Sequence, residues 1–95
     1  MRTVLVTGVS TGIGNAIADE LLKSNFLVIG SVRKIEDSEK LKKQYPDTFF
    51  PVKFDVTIKE EIESAKKEIK QILKNEKSFL SCIINNAGIA FGGPV

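Results

Sequence analysis

The chain has 95 residues and a mass of 10.5 kDa, with 42% apolar and 27% charged residues. A chain of this length buries about 60–70% of its unfolded surface, enough for one modest core, which excludes two domains and, with this apolar content, wholesale disorder. Its 14 basic and 12 acidic residues leave a net charge of +2, no electrostatic basis for a nucleic-acid or membrane partner, and neither is expected.

The amino terminus offers only Val4-Leu5-Val6 before Thr7 and Gly8. A secretory signal needs about 7–15 apolar residues and a membrane span about 20, so a cytoplasmic protein is expected. Thr3 to Thr7 reads as a short β-branched strand ended by Gly8. From Gly12, the apolar residues Ile13, Ala16, Ile17, Leu21 and Leu22 recur at helical spacing. That helix stops near Ser24-Asn25, where asparagine tolerates the left-handed conformation of a helix exit. Phe26 to Ser31 is the second strand, and a short helix follows within Asp37 to Gln44, limited by Pro46. Phe49 to Val56 holds the third strand, placed at a sheet edge by Pro51, which cannot donate to a ladder.

Thr57 and Glu60 form a T-x-x-E capping pattern at the start of the last helix. Ile58, Ile62, Ala65, Ile69, Ile72 and Leu73 then make one apolar stripe. Phe79 to Ile84 is the fourth strand, apolar enough to predict burial on both faces, and Asn85 to Val95 is a glycine-rich loop ending in Pro94-Val95. Alternating strands and helices predict an α/β fold with a parallel sheet.

The chemistry is bounded by what is missing. One cysteine, Cys82, excludes an internal disulfide and a cysteine-built zinc site. The sequence has no histidine, which excludes Ser-His-Asp and Cys-His catalysis and histidine-ligated metals among these residues, so no metal site is expected.

The first strand-to-helix turn reads Thr7-Gly8-Val9-Ser10-Thr11-Gly12-Ile13-Gly14. Pyrophosphate recognition needs a tight turn, a backbone free of Cβ atoms and a helix amino terminus aimed at the anion. Gly8 serves the first need, Gly12 the close approach and Gly14 the packing of helix on sheet, while Ser10 and Thr11 add hydroxyl donors. A P-loop is excluded, because positions 13 and 14 are Ile13 and Gly14 where that motif needs Gly-Lys.

Taken together, the Thr7–Gly14 turn, Asp55-Val56 and Asn85-Asn86-Ala87-Gly88 resemble the short-chain dehydrogenase/reductase family, over the front part of the family's chain. The resemblance implies a Rossmann-type, doubly wound parallel sheet of about four strands in the order 3-2-1-4 with three helices. Residues 1–95 would then be the N-terminal part of a single NAD(P)-binding domain. It implies that Gly8, Ser10, Thr11, Gly12, Ile13 and Gly14 bind the pyrophosphate of a dinucleotide. Asp55 would accept from the adenine amino group with the Val56 amide nearby, and Asn85, Asn86, Ala87 and Gly88 would brace the sheet and lie along the ribose. Read without the family, Asp55 is equally a helix-start residue before Thr57.

An NAD site usually places a carboxylate about 20 residues after the glycine turn, to accept from the ribose 2′-hydroxyl. Here that stretch reads Ser31-Val32-Arg33-Lys34, with no acid before Glu36. A guanidinium grips a 2′-phosphate that a carboxylate repels, so Arg33, with Ser31 as a hydroxyl donor, argues for NADP(H) over NAD(H). Thr11 departs from the basic residue that some NADP-dependent members carry in the turn. Family chemistry is hydride transfer between nicotinamide and an alcohol or carbonyl, assisted by Tyr-x-x-x-Lys and a serine. The only tyrosine, Tyr45, is followed four residues later by Phe49, so no catalytic residue is assigned and these residues by themselves are expected to be inactive. The Gly92-Gly93-Pro94 ending and Ser31-Val32-Arg33 resemble members acting on hydrophobic alcohols or ketones. Ending a sheet at the fourth strand leaves an apolar edge, and self-association through it is expected. A nucleotide-binding module without catalysis, or a gene remnant, is the alternative.

Overall fold

A computed structural model describes residues 2–10, 12–55 and 57–86, so the expectations for Thr11, Val56, Ala87 and Gly88 lie outside the described residues. In chain order the elements are β1 (Arg2–Thr7), α1 (Gly12–Lys23), β2 (Leu27–Val32), a single 3-10 turn (Ile35–Ser38), α2 (Glu39–Gln44), β3 (Phe49–Lys53), α3 (Lys59–Asn75) and β4 (Phe79–Asn85). The four strands form one sheet in the order β3-β2-β1-β4, and every pairing is parallel. The expected topology is therefore present.

Two apolar layers hold the helices on opposite faces. On one face Val4, Val6, Val28, Val32 and Phe49 of the sheet meet Ala18 and Leu22 of α1 and Leu41 of α2. On the other, Leu5, Ile29 and Val52 meet Ala65 of α3, with Phe54 beside them and Ile62, Ile69, Ile72 and Leu73 half-buried around it. Alternate residues of one strand thus enter opposite cores, as pleating requires. β1 and β2 are buried almost throughout and carry the middle of the sheet.

Several boundaries differ from the sequence expectation, each for a physical reason. In α1 the buried line is Gly14, Ala18 and Leu22, while Ile13 lies 70% exposed beside the glycine turn and Ala16 faces out. The line of closest approach runs at four-residue spacing, with residues of little or no side chain (Gly14, Ala18) at its turn end and Leu22 at the other. β3 ends at Lys53, not Val56, because its partner β2 ends at Val32, which pairs with Lys53. The Thr57–Glu60 capping box does not form: α3 begins at Lys59 after an Ile58 cap that makes no side-chain hydrogen bond. Thr57 is instead drawn back to Asp55, and Glu61 rather than Glu60 reaches the loop, its Oε1 accepting from the Asp55 amide at 2.9 Å. β4 is not buried on both faces, since it is an edge strand, with Phe79 63% and Ile83 58% exposed. Asn25 does adopt the left-handed conformation at the α1 exit (φ 67°).

α2 is too short to be stable by propensity alone and depends on its packing. Leu41, 2% exposed, is its buried anchor in the α1-side core. Nearby, Tyr45 Oη donates to Asp19 Oδ1 at 3.0 Å and Lys23 Nζ pairs with Oδ2 of the same carboxylate at 3.0 Å, joining the α2 exit to α1. Truncating the anchor, Leu41→Ala, is expected to cost about 2–5 kcal/mol, read as a lower urea midpoint. A loss below about 1 kcal/mol would mean that α2 is held by something other than Leu41.

Candidate functional site

In a parallel sheet with helices on both faces, ligands bind outside the carboxyl ends of the strands, where the strand order reverses. Here the chain leaves β1 for β2 on one side and later returns to pair β4 on the other, so that point lies beside the end of β1. The glycine turn occupies it.

Gly8 turns the chain with φ 71°, a conformation that glycine adopts without the Cβ penalty. Its amide donates to Ser31 Oγ at 2.9 Å, and the next amide, of Val9, donates to the Ser31 carbonyl at 3.0 Å. The Gly8 carbonyl accepts from Asn86 Nδ2 at 3.0 Å. Thr7 Oγ1, 7% exposed as a residue, donates to Asn85 Oδ1 at 3.0 Å. The ends of β1, β2 and β4 are thereby tied to one turn. A Cβ on Gly14 would fall on the Gly8 carbonyl and lie 2.8 Å from Asn86 Nδ2, so helix α1 reaches the turn only because residue 14 is glycine.

Gly12 is different. A Cβ there would meet no described atom within 4 Å, so the packing of the described residues does not explain the glycine. It opens α1, whose first turn carries no acidic residue and whose amino terminus, the positive end of the helix dipole, favours an anion. The backbone near Gly12 therefore has room and the polarity for a phosphate, and a dinucleotide fits the turn. Ser10 and Ile13 flank it, both exposed.

Around the end of β2, Arg33, Lys34 and Lys53 line one open cavity of about 330 Å³ together with Ile35 and Glu36. Lys53 was missed in the sequence because it stands twenty residues from Arg33; only the pairing of Val32 with Lys53 brings the strand ends together. Ser31, in contrast, is 3% exposed, and its hydroxyl is turned onto Gly8 rather than toward this cavity.

Asp55 lies just beyond β3. Its Oδ1 accepts from the Thr57 amide at 2.9 Å and from the Thr57 hydroxyl at 2.7 Å, which leaves Oδ2 outside both bonds. The Thr57 hydroxyl and then its amide hold this carboxyl below its ordinary pKa; desolvation opposes them, and the Arg33 charge lowers it further. Because the folded value is lowered, this contribution to stability is present above the ordinary carboxylate range and is lost as pH falls through the lowered value. At neutral pH Asp55 is an ionised acceptor near a cationic cavity. Among the described residues no group of three or more His, Cys, Asp or Glu side chains is placed to hold a metal, and no helix is long and apolar enough to cross a membrane.

The relatives of this chain agree with that geometry. The sequence profile of the short chain dehydrogenase family matches residues 2–95. An NADPH-dependent 3-dehydrocapnine reductase of Ornithobacterium rhinotracheale is 43% identical over 95 residues, covering 100% of this chain and 33% of its own. A farnesol dehydrogenase of Aedes aegypti is 37% identical over 94 residues, covering 93% of this chain and 36% of its own. Among solved structures, a short-chain dehydrogenase from Streptomyces avermitilis superposes with a TM-score of 0.78 at 32% identity, covering 90% of this chain and 30% of that one. A Burkholderia multivorans protein solved with bound NADP superposes with a TM-score of 0.66 at 32% identity, covering 72% of this chain and 31% of its own. The chain thus spans about a third of the length of the relatives it matches. A glycine turn braced from two strands, at the reversal point of a 3-2-1-4 parallel sheet, and a family profile matching residues 2–95 lead to one assignment: this chain belongs to the short-chain dehydrogenase/reductase family of oxidoreductases.

Proposed function

We propose that these residues are the NADP(H)-binding part of a single Rossmann-type domain. The whole protein would transfer hydride between nicotinamide and an alcohol or carbonyl compound. The observation that carries the cofactor choice is the charge around the end of β2: three cations, Arg33, Lys34 and Lys53, and one carboxylate, Glu36, line the same cavity. A 2′-phosphate is attracted there, and the guanidinium of Arg33 can hold it through two hydrogen bonds. The NADPH dependence stated for the 43% identical reductase supports the same choice.

In this reading the glycine turn takes the pyrophosphate, with Gly12 supplying room and Ser10, Thr11 and Ile13 flanking it. Asp55 accepts from the adenine amino group through Oδ2, beside the Val56 amide, while Asn85 to Gly88 run along the ribose. The bound dinucleotide supplies the hydride-carrying carbon. The chain's own residues bind and orient its adenosine half. Tyr45 takes no part, since its hydroxyl is engaged with Asp19 well along α1 from the turn. The substrate we propose is a hydrophobic alcohol or ketone, a class to which the farnesol of the Aedes aegypti relative belongs.

The outer edge of β4 is the second feature of this reading. Its apolar side chains Phe79 and Ile83 are exposed, and an apolar groove of about 420 Å³, lined in part by Leu5, Ile62, Ile69, Leu80 and Ile83, runs between β4 and α3. We propose that a second copy of the 95-residue chain pairs along this edge. Sedimentation is expected to show a weight-average mass rising with concentration, and a monomer at all concentrations would refute it.

Titration of the chain tests the cofactor. Adenosine 2′,5′-bisphosphate is expected to bind nearly as tightly as NADPH, and both more tightly than NADH. Arg33→Ala should shrink the preference for NADPH by roughly ten- to a hundredfold, the worth of a charge-assisted pair. A parent chain that prefers NADH would overturn the role given to Arg33. Gly12→Ala separates ligand from fold: with open space at its Cβ, it is expected to keep the thermal midpoint or raise it slightly. Its affinity for NADPH should nevertheless fall by roughly tenfold or more, since the new methyl occupies the phosphate's approach. Unchanged affinity would show that the phosphate does not lie against Gly12.

A further inference from the structure

We propose that Ser31 is a positioning residue for the phosphate turn, holding Gly8 in place through its hydroxyl without touching the cofactor; this rests on the dinucleotide reading above. The β1–β2 ladder ends at the pair Val6 and Gly30, one residue short of Thr7 and two short of Gly8. Beyond that point the left-handed Gly8 turns the main chain out of strand geometry, and its amide donates to a side-chain oxygen of β2. Ser31 extends the connection by two bonds: its carbonyl takes the Val9 amide at 3.0 Å, as a strand residue would, and its hydroxyl takes the Gly8 amide at 2.9 Å. Any residue at position 31 supplies the first bond. Only a short side chain with an acceptor oxygen supplies the second.

Its surroundings leave Ser31 little freedom to act otherwise. The residue is 3% exposed near the end of β2, between buried Gly30 and the buried last residue Val32, which lies in the core against α1 and α2. The Oγ accepts from Gly8 through a lone pair, so contact with a 2′-phosphate would use the O–H of the same hydroxyl, and the ligand comparison below separates the two roles. Position matters as well, because Ser31 stands two residues before Arg33. The same strand end therefore sets the phosphate turn through a hydrogen bond and carries the cation for the 2′-phosphate, fixing the distance between the two anion sites.

Two ligands separate the roles. Adenosine 2′-monophosphate engages the Arg33 end alone, whereas adenosine 2′,5′-bisphosphate adds a 5′-phosphate over the glycine turn. In calorimetric titrations of the 95-residue chain, Ser31→Ala is expected to weaken the bisphosphate by about five- to tenfold, the worth of one hydrogen bond, and to leave the monophosphate within about twofold. Ser31→Cys, which keeps the volume but offers a weak sulfur acceptor, should show the same pattern with a smaller loss, and it carries the test if the alanine variant does not fold. An equal loss for both ligands would overturn the proposal in favour of direct 2′-phosphate contact or general destabilisation, and no loss for either would overturn it outright. A parent chain that binds neither ligand would instead overturn the dinucleotide reading, and the positioning role with it.

Discussion

The peptide group of Gly8 is the point on which the rest of the site depends. Its N–H is taken by Ser31 at the end of β2 and its C=O by Asn86, just past the end of β4. The helix that follows can approach only because Gly14 has no Cβ to strike that carbonyl. Three strands and a helix amino terminus are brought to one place by a residue with a left-handed backbone. The sheet accounts for the convergence: all its pairings are parallel, so the carboxyl ends of β1, β2 and β4 lie on one side. An anion there faces helix amides and no acidic side chain in the first turn of α1.

Electrostatics around this turn come from neighbourhood rather than from a single side chain. Arg33 and Lys34 follow β2 directly, Lys53 arrives from β3 through strand pairing, and Glu36 is the one carboxylate in that cavity. Asp55 sits at the margin, its Oδ1 spent on Thr57 in a local turn and its ionised state favoured by those bonds first and by the Arg33 charge last. Both bonds use one oxygen of the carboxylate, so Oδ2 lies outside the local turn.

The two sheet edges are unlike. β3 carries Pro51 and ends in exposed Lys53, both of which discourage another strand from pairing. β4 carries no such device among its residues Phe79–Asn85; its exposed positions include Phe79, Cys82 and Ile83. The α3 stripe covers the sheet only in part: Ala65 is its one fully buried residue, and a groove stays open toward Leu80 and Ile83.

Much of this was legible in the order of residues. Alternating strand and helix patterns, Pro51 at an edge, Asn25 at a helix exit and the Thr7–Gly14 spacing all follow from local rules of period, backbone freedom and hydrogen-bond supply, which act within a few residues. What local rules misjudged was set by partners distant in sequence. Ile13 has the hydropathy of a core residue but stands exposed, because the approach of α1 to the sheet is decided by Gly14, Ala18 and Leu22. Thr57 has the spacing of a helix cap but is captured by Asp55. Ser31, read only as a ligand donor, also accepts through its Oγ from the amide of Gly8, 23 residues earlier. Sequence by itself determined which elements form and which family's turn they carry, since those depend on neighbours along the chain. Only the tertiary structure decided which polar groups remain free for a ligand, because each first bonds to whatever the fold places beside it.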